Sequence, residues 1–487
     1  MAPAHSSGAT PRLFITAGIA AIGAMQFGFH LAELNSPQDI VTCGPAGIDR
    51  PIDPSYDCIP MSSADIGMVN GIYSIGGFLS ASVAGSFADG LGRRKVVFAN
   101  CVLFVLGSSI IANSHSVLTM CTGRFIAGLG AGSAIVVTPL YLNEISPVSI
   151  RGALGTINQI SVNIGILLAQ VLGLFLSTED MWRRILFSGS IIAIANAALL
   201  PLCVESPKWL ALKGMTPEAL RSLRVLRGED ADIDGEVSNW KSHDNHAGGS
   251  SLGLTGDEES SLLAPSSENR SPNQPFPAAA KKVGVLEFCT ATRFRKIFIA
   301  VVGVMVSQQI CGVNSIIFYG VSVLATTLPR YSGLVNVLIS LLNLAVTTAI
   351  SPFVDTFGRR PLLLASILGM TFSSAVLARA MIGEMPVVAS TAATAFVVSF
   401  AVGLGPIPFL IISEMTPNDV VGMAQSIGTT ANWMASFLVG FLFPILKAQL
   451  GSYVFYIFTL TGAVAFTFVF KFVPETKGKS LAAVWAQ

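Results

Sequence analysis

Charge is what this sequence has least of. Asp, Glu, Lys and Arg together make up 12% of its 487 residues, roughly half the share found in a soluble domain. With 52% hydrophobic residues beside them, there is too little charge to clothe a water-facing surface of this size. Neither sign is in excess, since the formal net charge is +1. That balance says nothing about nucleic acid by itself, and no basic patch suggests it, so no nucleic-acid partner is expected. Cysteine is sparse and scattered, at positions 43, 58, 101, 121, 203, 289 and 311. No pair has zinc or redox spacing, so no metal site is expected. A nucleophile–base set and a phosphate-binding glycine loop are also missing. The chain therefore reads as neither an enzyme nor a cofactor protein, with no catalytic residues. No cleavable leader is evident. Met1 to Arg12 is small and polar, and the first apolar run continues into the body of the chain as an uncleaved span.

Long apolar runs are what the sequence has in abundance. The mean hydropathy is +0.66, and a bilayer span needs about 20 apolar residues. Twelve candidate runs are centred near residues 22, 77, 105, 130, 165, 194, 311, 343, 371, 400, 435 and 461. An all-α integral membrane protein is expected, in contact with a lipid bilayer. Arg93, Arg94 and Lys95 share one short loop, which places that loop in the cytosol. An even number of spans then puts both termini in the cytosol. Cys43 and Cys58 fall in the loop between the first two spans, outside the cytosol, where a disulfide is allowed. Arg183 and Arg184 break the charge rule by falling on the outer side. Four glycines in the fourth run (Gly123, Gly128, Gly130, Gly132) fit close helix packing.

The polar stretch after Glu205 divides the chain. Residues 1–204 form an expected N-terminal six-helix bundle and residues 294–473 a C-terminal one. Residues 205–293 form a cytosolic linker with short helices and a disordered part over about 241–280, too polar to bury a core. Residues 474–487 form a cytosolic tail. The halves are repeats. Asp89-x-x-Gly92-Arg93-Arg94 recurs as Asp355-x-x-Gly358-Arg359-Arg360, 266 residues on. Glu144-Ile-Ser-Pro147 recurs as Glu414-Met-Thr-Pro417, and Glu205-Ser206 as Glu475-Thr476, each 270 residues on. Two pseudo-symmetric six-helix bundles follow, with a binding site expected at their interface.

One apolar run contains an anomaly, Ser307-Gln308-Gln309-Ile310-Cys311-Gly312-Val313-Asn314-Ser315. An amide without a partner in hydrocarbon costs about 2–7 kcal/mol. These amides must therefore face protein or a wet cavity, either as bonds between helices or as a polar ligand site.

Together these motifs resemble the major facilitator superfamily sugar porters, in particular the facilitative glucose transporters and their fungal, vacuolar-type relatives. The resemblance rests on Phe27-Gly28, Gly92-Arg93-Arg94, Arg151-Gly152, Glu205-Ser206-Pro207-Lys208-Trp209, Gln308-Gln309-x-x-Gly312-x-Asn314, Gly405-Pro406-Ile407-Pro408 and Pro474-Glu475-Thr476. It implies a monomeric carrier for a small neutral sugar or polyol, working by alternating access. It also implies sugar contacts at Gln159, Gln308, Gln309, Asn314, Asn343 and Asn432. An amide both donates and accepts hydrogen bonds, as a sugar hydroxyl does. Trp433 suits either a sugar's apolar face or a gate. Phe27, Phe318, Tyr319 and Phe409 are the corresponding gate and pocket aromatics. The chain departs from the family at Ala401, where a carboxylate is common, at Phe409, where a Trp is common, and at Val421, where an Arg is usual.

Coupling and gating follow from the same comparison. His30 stands where proton-coupled members carry an Asp, and Glu33 lies toward the outer end of its span. Without a central carboxylate, facilitated diffusion is expected. A proton-coupled symporter or antiporter using His30 is the alternative, and a neutral ring bonded to a neighbouring helix the simplest role for that residue. Asp89, Arg93, Arg94, Arg124, Glu144, Arg151, Glu205, Asp355, Arg359, Arg360, Glu414 and Glu475 are expected at cytosolic span ends, as exposed pairs forming an inner-gate network. Glu258, Leu262 and Leu263 resemble an acidic dileucine signal read by an adaptor complex on the route to a vacuolar or lysosomal membrane, the plasma membrane being the other destination. A non-transporting sugar sensor or trafficking factor is the reading from another class. The short tail after the last span argues against it.

Overall fold

In hydrocarbon each backbone N–H and C=O must be satisfied within the chain, and an apolar run meets that demand as an α-helix. The structure is a computed structural model. It describes residues 10–44, 57–147, 150–229, 231–237, 285–417, 420–479 and 481–485. The N-terminal half contains α1 (Pro11–Ala32), the short α2 (Gln38–Val41), α3 (Ser63–Leu91), α4 (Arg93–Ala112), α5 (Val117–Ile145), α6 (Arg151–Leu176) and α7 (Trp182–Leu199). The linker contributes α8 (Pro207–Leu212) and α9 (Thr216–Arg227), followed by α10 (Val285–Thr290). The C-terminal half contains α11 (Arg295–Ile310), α12 (Val313–Ala325), α13 (Ser332–Ile350), α14 (Val354–Phe357), α15 (Arg359–Ile382), α16 (Pro386–Val402), α17 (Ile407–Met415), α18 (Val421–Leu450) and α19 (Val454–Phe472), with α20 (Leu481–Trp485) in the tail.

Among the described residues, 11 helical segments are able to cross a membrane by length and composition. The last, Val421–Phe472, is two spans, α18 and α19, joined by the 3-10 turn Gly451–Tyr453. Twelve spans result. Two of them are broken inside: α11 and α12 are halves of one span, and so are α16 and α17. The expected disordered stretch and the dileucine residues Glu258, Leu262 and Leu263 lie outside the described residues.

Helix starts follow the local sequence. Thr10 caps α1, Ser62 and Asp65 form a capping box on α3, and Ser116 caps α5. The repeat is visible in the backbone. Gly92 (φ 96°, ψ 161°) and Gly358 (φ 91°, ψ 159°) turn the chain identically into α4 and α15. At that positive φ a side chain would be strained. Glu205 then accepts from the backbone N–H of Arg93 at 2.9 Å, and Glu475 from that of Arg359 at 3.1 Å. Each carboxylate caps the positive end of a spanning helix in its own half.

The two ends of the bundle differ. One carries these charged turns and is called the basic end below. The other carries the loop between α1 and α3, where a disulfide joins Cys43 to Cys58. At this disulfide end Arg183 forks onto Asp57 at 2.6 and 2.7 Å and donates to the carbonyls of Ala112 and Ser114. Trp182 adds a bond to the Asp57 carbonyl at 2.8 Å. Arg183 is thus spent on holding the loop, which is why a cation stands at this end.

Glycine lets the helices of the first half touch. A Cβ on Gly165 of α6 would collide with the Met25 carbonyl of α1, and one on Gly28 with the Val162 carbonyl. Both neighbours are main chain and cannot swing away. Gly165→Leu is therefore expected to destabilise the fold by at least about 1–3 kcal/mol. The check is a lowered melting temperature in detergent. Unchanged melting would show that α1 and α6 do not cross at this point.

Candidate functional site

The site is built on the two broken spans. The first breaks at Gly312, which takes φ 93°, and a Cβ there would also press on the Phe458 ring at 2.6 Å. The break brings Asn314 onto the face of Gln309, and Asn314 Nδ2 donates to Gln309 Oε1 at 2.8 Å. The second breaks over residues 403–406, where Gly403, Gly405 and Pro406 cannot sustain a helix. Carbonyls freed there need donors. Gln308 supplies one, bonding Leu404 O at 2.6 Å and Gly405 O at 3.3 Å.

Asn432 on α18 completes the cluster. It donates to Gln308 Oε1 at 2.6 Å and Met305 O at 3.0 Å, and accepts from Gln309 Nε2 at 3.2 Å. Ser436, one turn on, accepts from Asn314 at 2.8 Å and reaches Ser74 of the opposite half at 3.1 Å. All four amides are buried, and none is charged. Trp433, also buried, projects between the halves, edge-on to Phe27 at 5.9 Å and Tyr73 at 6.2 Å between ring centroids. Such a cluster can exchange its internal bonds for those of a polyhydroxylated solute, while the indole offers an apolar face.

Gln159 and Asn343 do not join this cluster through the bonds described. They lie in a second polar strip between α6 and α13, centred on Asn163. Asn163 donates to Thr347 at 3.0 Å, and Gln159 and Asn343 reach Asn163 through long contacts of 3.5 Å each. Phe318 and Tyr319 are buried on α12, with the Tyr319 hydroxyl bonded to Gly440 O at 2.7 Å. Phe409 is exposed on α17. Asn163, Thr347 and Ser436 were missed by sequence reasoning, although each stands one turn beyond an amide that it names.

The charged residues correct the expectation in two ways. Arg124 is not at the basic end. α5 runs from the disulfide end toward Glu144, so Arg124 sits near its opposite end. There it pairs with Glu33 at 2.9 Å, both fully buried. Its Nη1 also donates to His30 O at 2.6 Å, and its guanidinium lies over Tyr73. His30 Nδ1 is 2.9 Å from Glu33 Oε2, and Nε2 is 3.4 Å from Ser108. The depth of a residue along its span decides its side, and a motif does not reveal depth. The second correction concerns exposure. Arg93 and Glu144 form a bidentate pair at 2.7 Å and are 1% and 5% exposed. They are a buried pair, and removing one partner costs about 3–5 kcal/mol rather than the small cost of a surface pair. Asp89 lies 3.2 Å from Arg93. Arg94 meets Glu205 through its backbone N–H, Arg359 pairs with Glu414 at 2.7 Å, and the Arg360 N–H bonds Glu475 at 3.0 Å. The pairs described stay within one half. The side chains of Arg151 and Asp355 lie outside the described residues.

Asn432→Ala removes a partner from Gln308 and Gln309 at once. Each unmade buried bond costs about 1–3 kcal/mol, so solute affinity is expected to fall by about tenfold or more. Quenching of tryptophan fluorescence on titration reads this out. An unchanged affinity would reduce the amides to helix packing.

Comparison with known proteins agrees with this geometry. A family profile described as "Sugar (and other) transporter" matches residues 16–486. The chain is 39% identical to the Saccharomyces cerevisiae protein named "Probable metabolite transport protein YBR241C", over 98% of this chain and 96% of that one. It is 32% identical to vacuolar protein sorting-associated protein 73 of the same yeast, over 94% and 93%. It is 30% identical to the human solute carrier family 2, facilitated glucose transporter member 14, over 98% and 88%. Among solved structures, the xylose transporter XylE from E. coli in a partially occluded inward open conformation superposes with a TM-score of 0.77 at 24% identity, covering 97% of this chain and 100% of that one. The fold is that of the major facilitator superfamily, and the chain belongs to the sugar (and other) transporter family.

Proposed function

We propose that this protein carries a small neutral sugar, hexose-like, or a polyol across a membrane by alternating access and facilitated diffusion. The amide cluster carries the reading. Gln308, Gln309, Asn314 and Asn432 present donors and acceptors without a net charge, at the meeting of two repeated bundles. Family membership and the name of the human relative support a sugar. The name of the second yeast relative leaves a trafficking role as the rival from another class.

A second reading has one observation in its favour. Glu33 is a buried carboxylate held between His30 and Arg124, whose guanidinium lies over the Tyr73 ring. A proton on Glu33 would cancel the charge that holds Arg124 and loosen α1 from α5, which is the element a proton-coupled carrier needs.

One experiment separates these. Purified protein in liposomes is given a panel of labelled sugars, with and without an imposed pH gradient. The expected result is equilibrating uptake of at least one hexose or polyol, unaffected by the gradient. Accumulation above equilibrium that follows the gradient and vanishes in Glu33→Gln would replace facilitated diffusion by proton coupling. No uptake of any sugar would favour the trafficking reading.

For location, we place the basic end in the cytosol, with both termini, and the disulfide end outside it or in a lumen. A vacuolar or lysosomal-type membrane follows from Glu258, Leu262 and Leu263 as an adaptor-read signal. Replacing Leu262 and Leu263 by Ala is expected to move a fluorescent fusion to the cell surface. An unchanged distribution would remove the signal.

A further inference from the structure

We infer that Ser366 is a positioning residue for the solute site: its hydroxyl sets the second break and, through Leu404, aims Gln308. The inference deepens the carrier reading and rests on it. Ser366 lies on α15 and is 1% exposed. Helical order stops at Val402 in α16 and resumes at Ile407 in α17. In a regular α-helix the N–H of residue 403 is given to the carbonyl of residue 399, and that of residue 404 to the carbonyl of residue 400. Here the Gly403 N–H turns to Phe400 O at 3.3 Å, and the Gly405 N–H takes the same carbonyl at 2.9 Å. The break leaves one loose acceptor, Ser399 O, and one loose donor, the Leu404 N–H. A single hydroxyl answers both. Ser366 Oγ donates to Ser399 O at 2.7 Å and accepts from the Leu404 N–H at 3.0 Å. A group that only donates or only accepts could not do this.

The other polar atom of Leu404 faces the site. Its carbonyl accepts from Gln308 Nε2 at 2.6 Å. Leu404, fully buried, is therefore held from two sides, by Ser366 through its N–H and by Gln308 through its C=O. Gln308 Oε1 in turn accepts from Asn432 at 2.6 Å. A short chain of groups thus runs from α15 through the break to the amide cluster, and no solute needs to touch its first member. The approach of α15 is close. A Cβ on Gly403 would lie 2.8 Å from Ser366 Cβ and 2.3 Å from Leu362 O. The repeat agrees with the role. At the offset that carries Arg93 onto Arg359, Asn100 of α4 stands where Ser366 stands in α15. The counterpart of α16 and α17 is α5, one continuous helix of 29 residues. The hydroxyl belongs to the half that has a break to stitch. The first break is treated alike, since Thr461 of α19 donates to the last carbonyl of α11, Ile310 O, at 2.8 Å.

The test uses the whole chain, in detergent and in liposomes. Ser366→Ala loses both bonds, and Ser366→Cys keeps the size with a weaker donor and acceptor. Without solute, hydrogen exchange in residues 403–407 is expected to speed up by about tenfold in Ser366→Ala and by less in Ser366→Cys, with α18 unchanged. With a sugar that the panel shows to be carried, the half-saturating concentration is expected to rise by about tenfold in Ser366→Ala at an unchanged maximal rate, the pattern of lost binding rather than lost turnover. In a Gln308→Ala background the same substitution should add little, because the group it aims is gone. Two losses that simply multiply would overturn the inference, and so would unchanged exchange in residues 403–407 or exchange that rises throughout the chain. The exchange measurement needs no solute. If no sugar of the panel is carried while residues 403–407 respond as expected, the sugar reading falls and the hold of Ser366 on the break stands.

Discussion

A polar group withdrawn from water must find a partner, and in a bilayer the partner has to come from the chain itself. That constraint organises this molecule. Two spans are interrupted, at Gly312 and over residues 403–406, and each interruption frees backbone groups. Gln308 answers the second, covering the carbonyls of Leu404 and Gly405, while Asn432 bonds Met305 O within α11 and Asn35 bonds main chain in the middle of α12. Remove the interruptions and those amides would have no reason to be buried. Remove the amides and the interruptions would be too costly to keep. The amide cluster and the backbone defect are one structure.

The same rule explains the charges. Arg93 with Glu144 and Arg124 with Glu33 are buried and multiply bonded. At the helix starts the carboxylates of Glu205 and Glu475 neutralise positive helix ends in both halves. At the disulfide end, hydrogen bonding from Arg183 holds the Asp57 carboxyl below its ordinary value of 3.8. A carboxylate so depressed contributes to stability at every pH above its unfolded value. It loses that contribution only as the pH falls through the folded one. The loop tether is therefore intact at mildly acidic pH.

How much of this was legible depended on what kind of signal carried it. The spans were legible because hydrophobic length is a sum over many residues, and the pseudo-symmetry because three motifs recur at nearly one offset. Gln308, Gln309 and Asn314 stood out because three amides within one apolar run have no cheap explanation. Asn163, Thr347 and Ser436 carry the same signal more weakly, since a single small polar residue in a helix is commonly satisfied by its own backbone. Arg124 was misplaced because its side depends on how far along α5 it falls. The burial of Glu33 was invisible because it is created by α5, nearly a hundred residues away. The contacts of Asn35 were illegible for a similar reason: they are made to main-chain atoms of the other half, which no side-chain pattern announces.

The amide cluster satisfies itself when empty, and this has a kinetic meaning. On the proposed reading, a solute hydroxyl entering it would replace one neutral hydrogen bond by another of similar strength, so the loaded and unloaded sites would lie close in free energy. No deep well would form on either face of the membrane. A carrier of that kind saturates only at high solute concentration and lets go as readily as it takes hold. It would be suited to equalising abundant pools between two compartments rather than to scavenging traces of a scarce one.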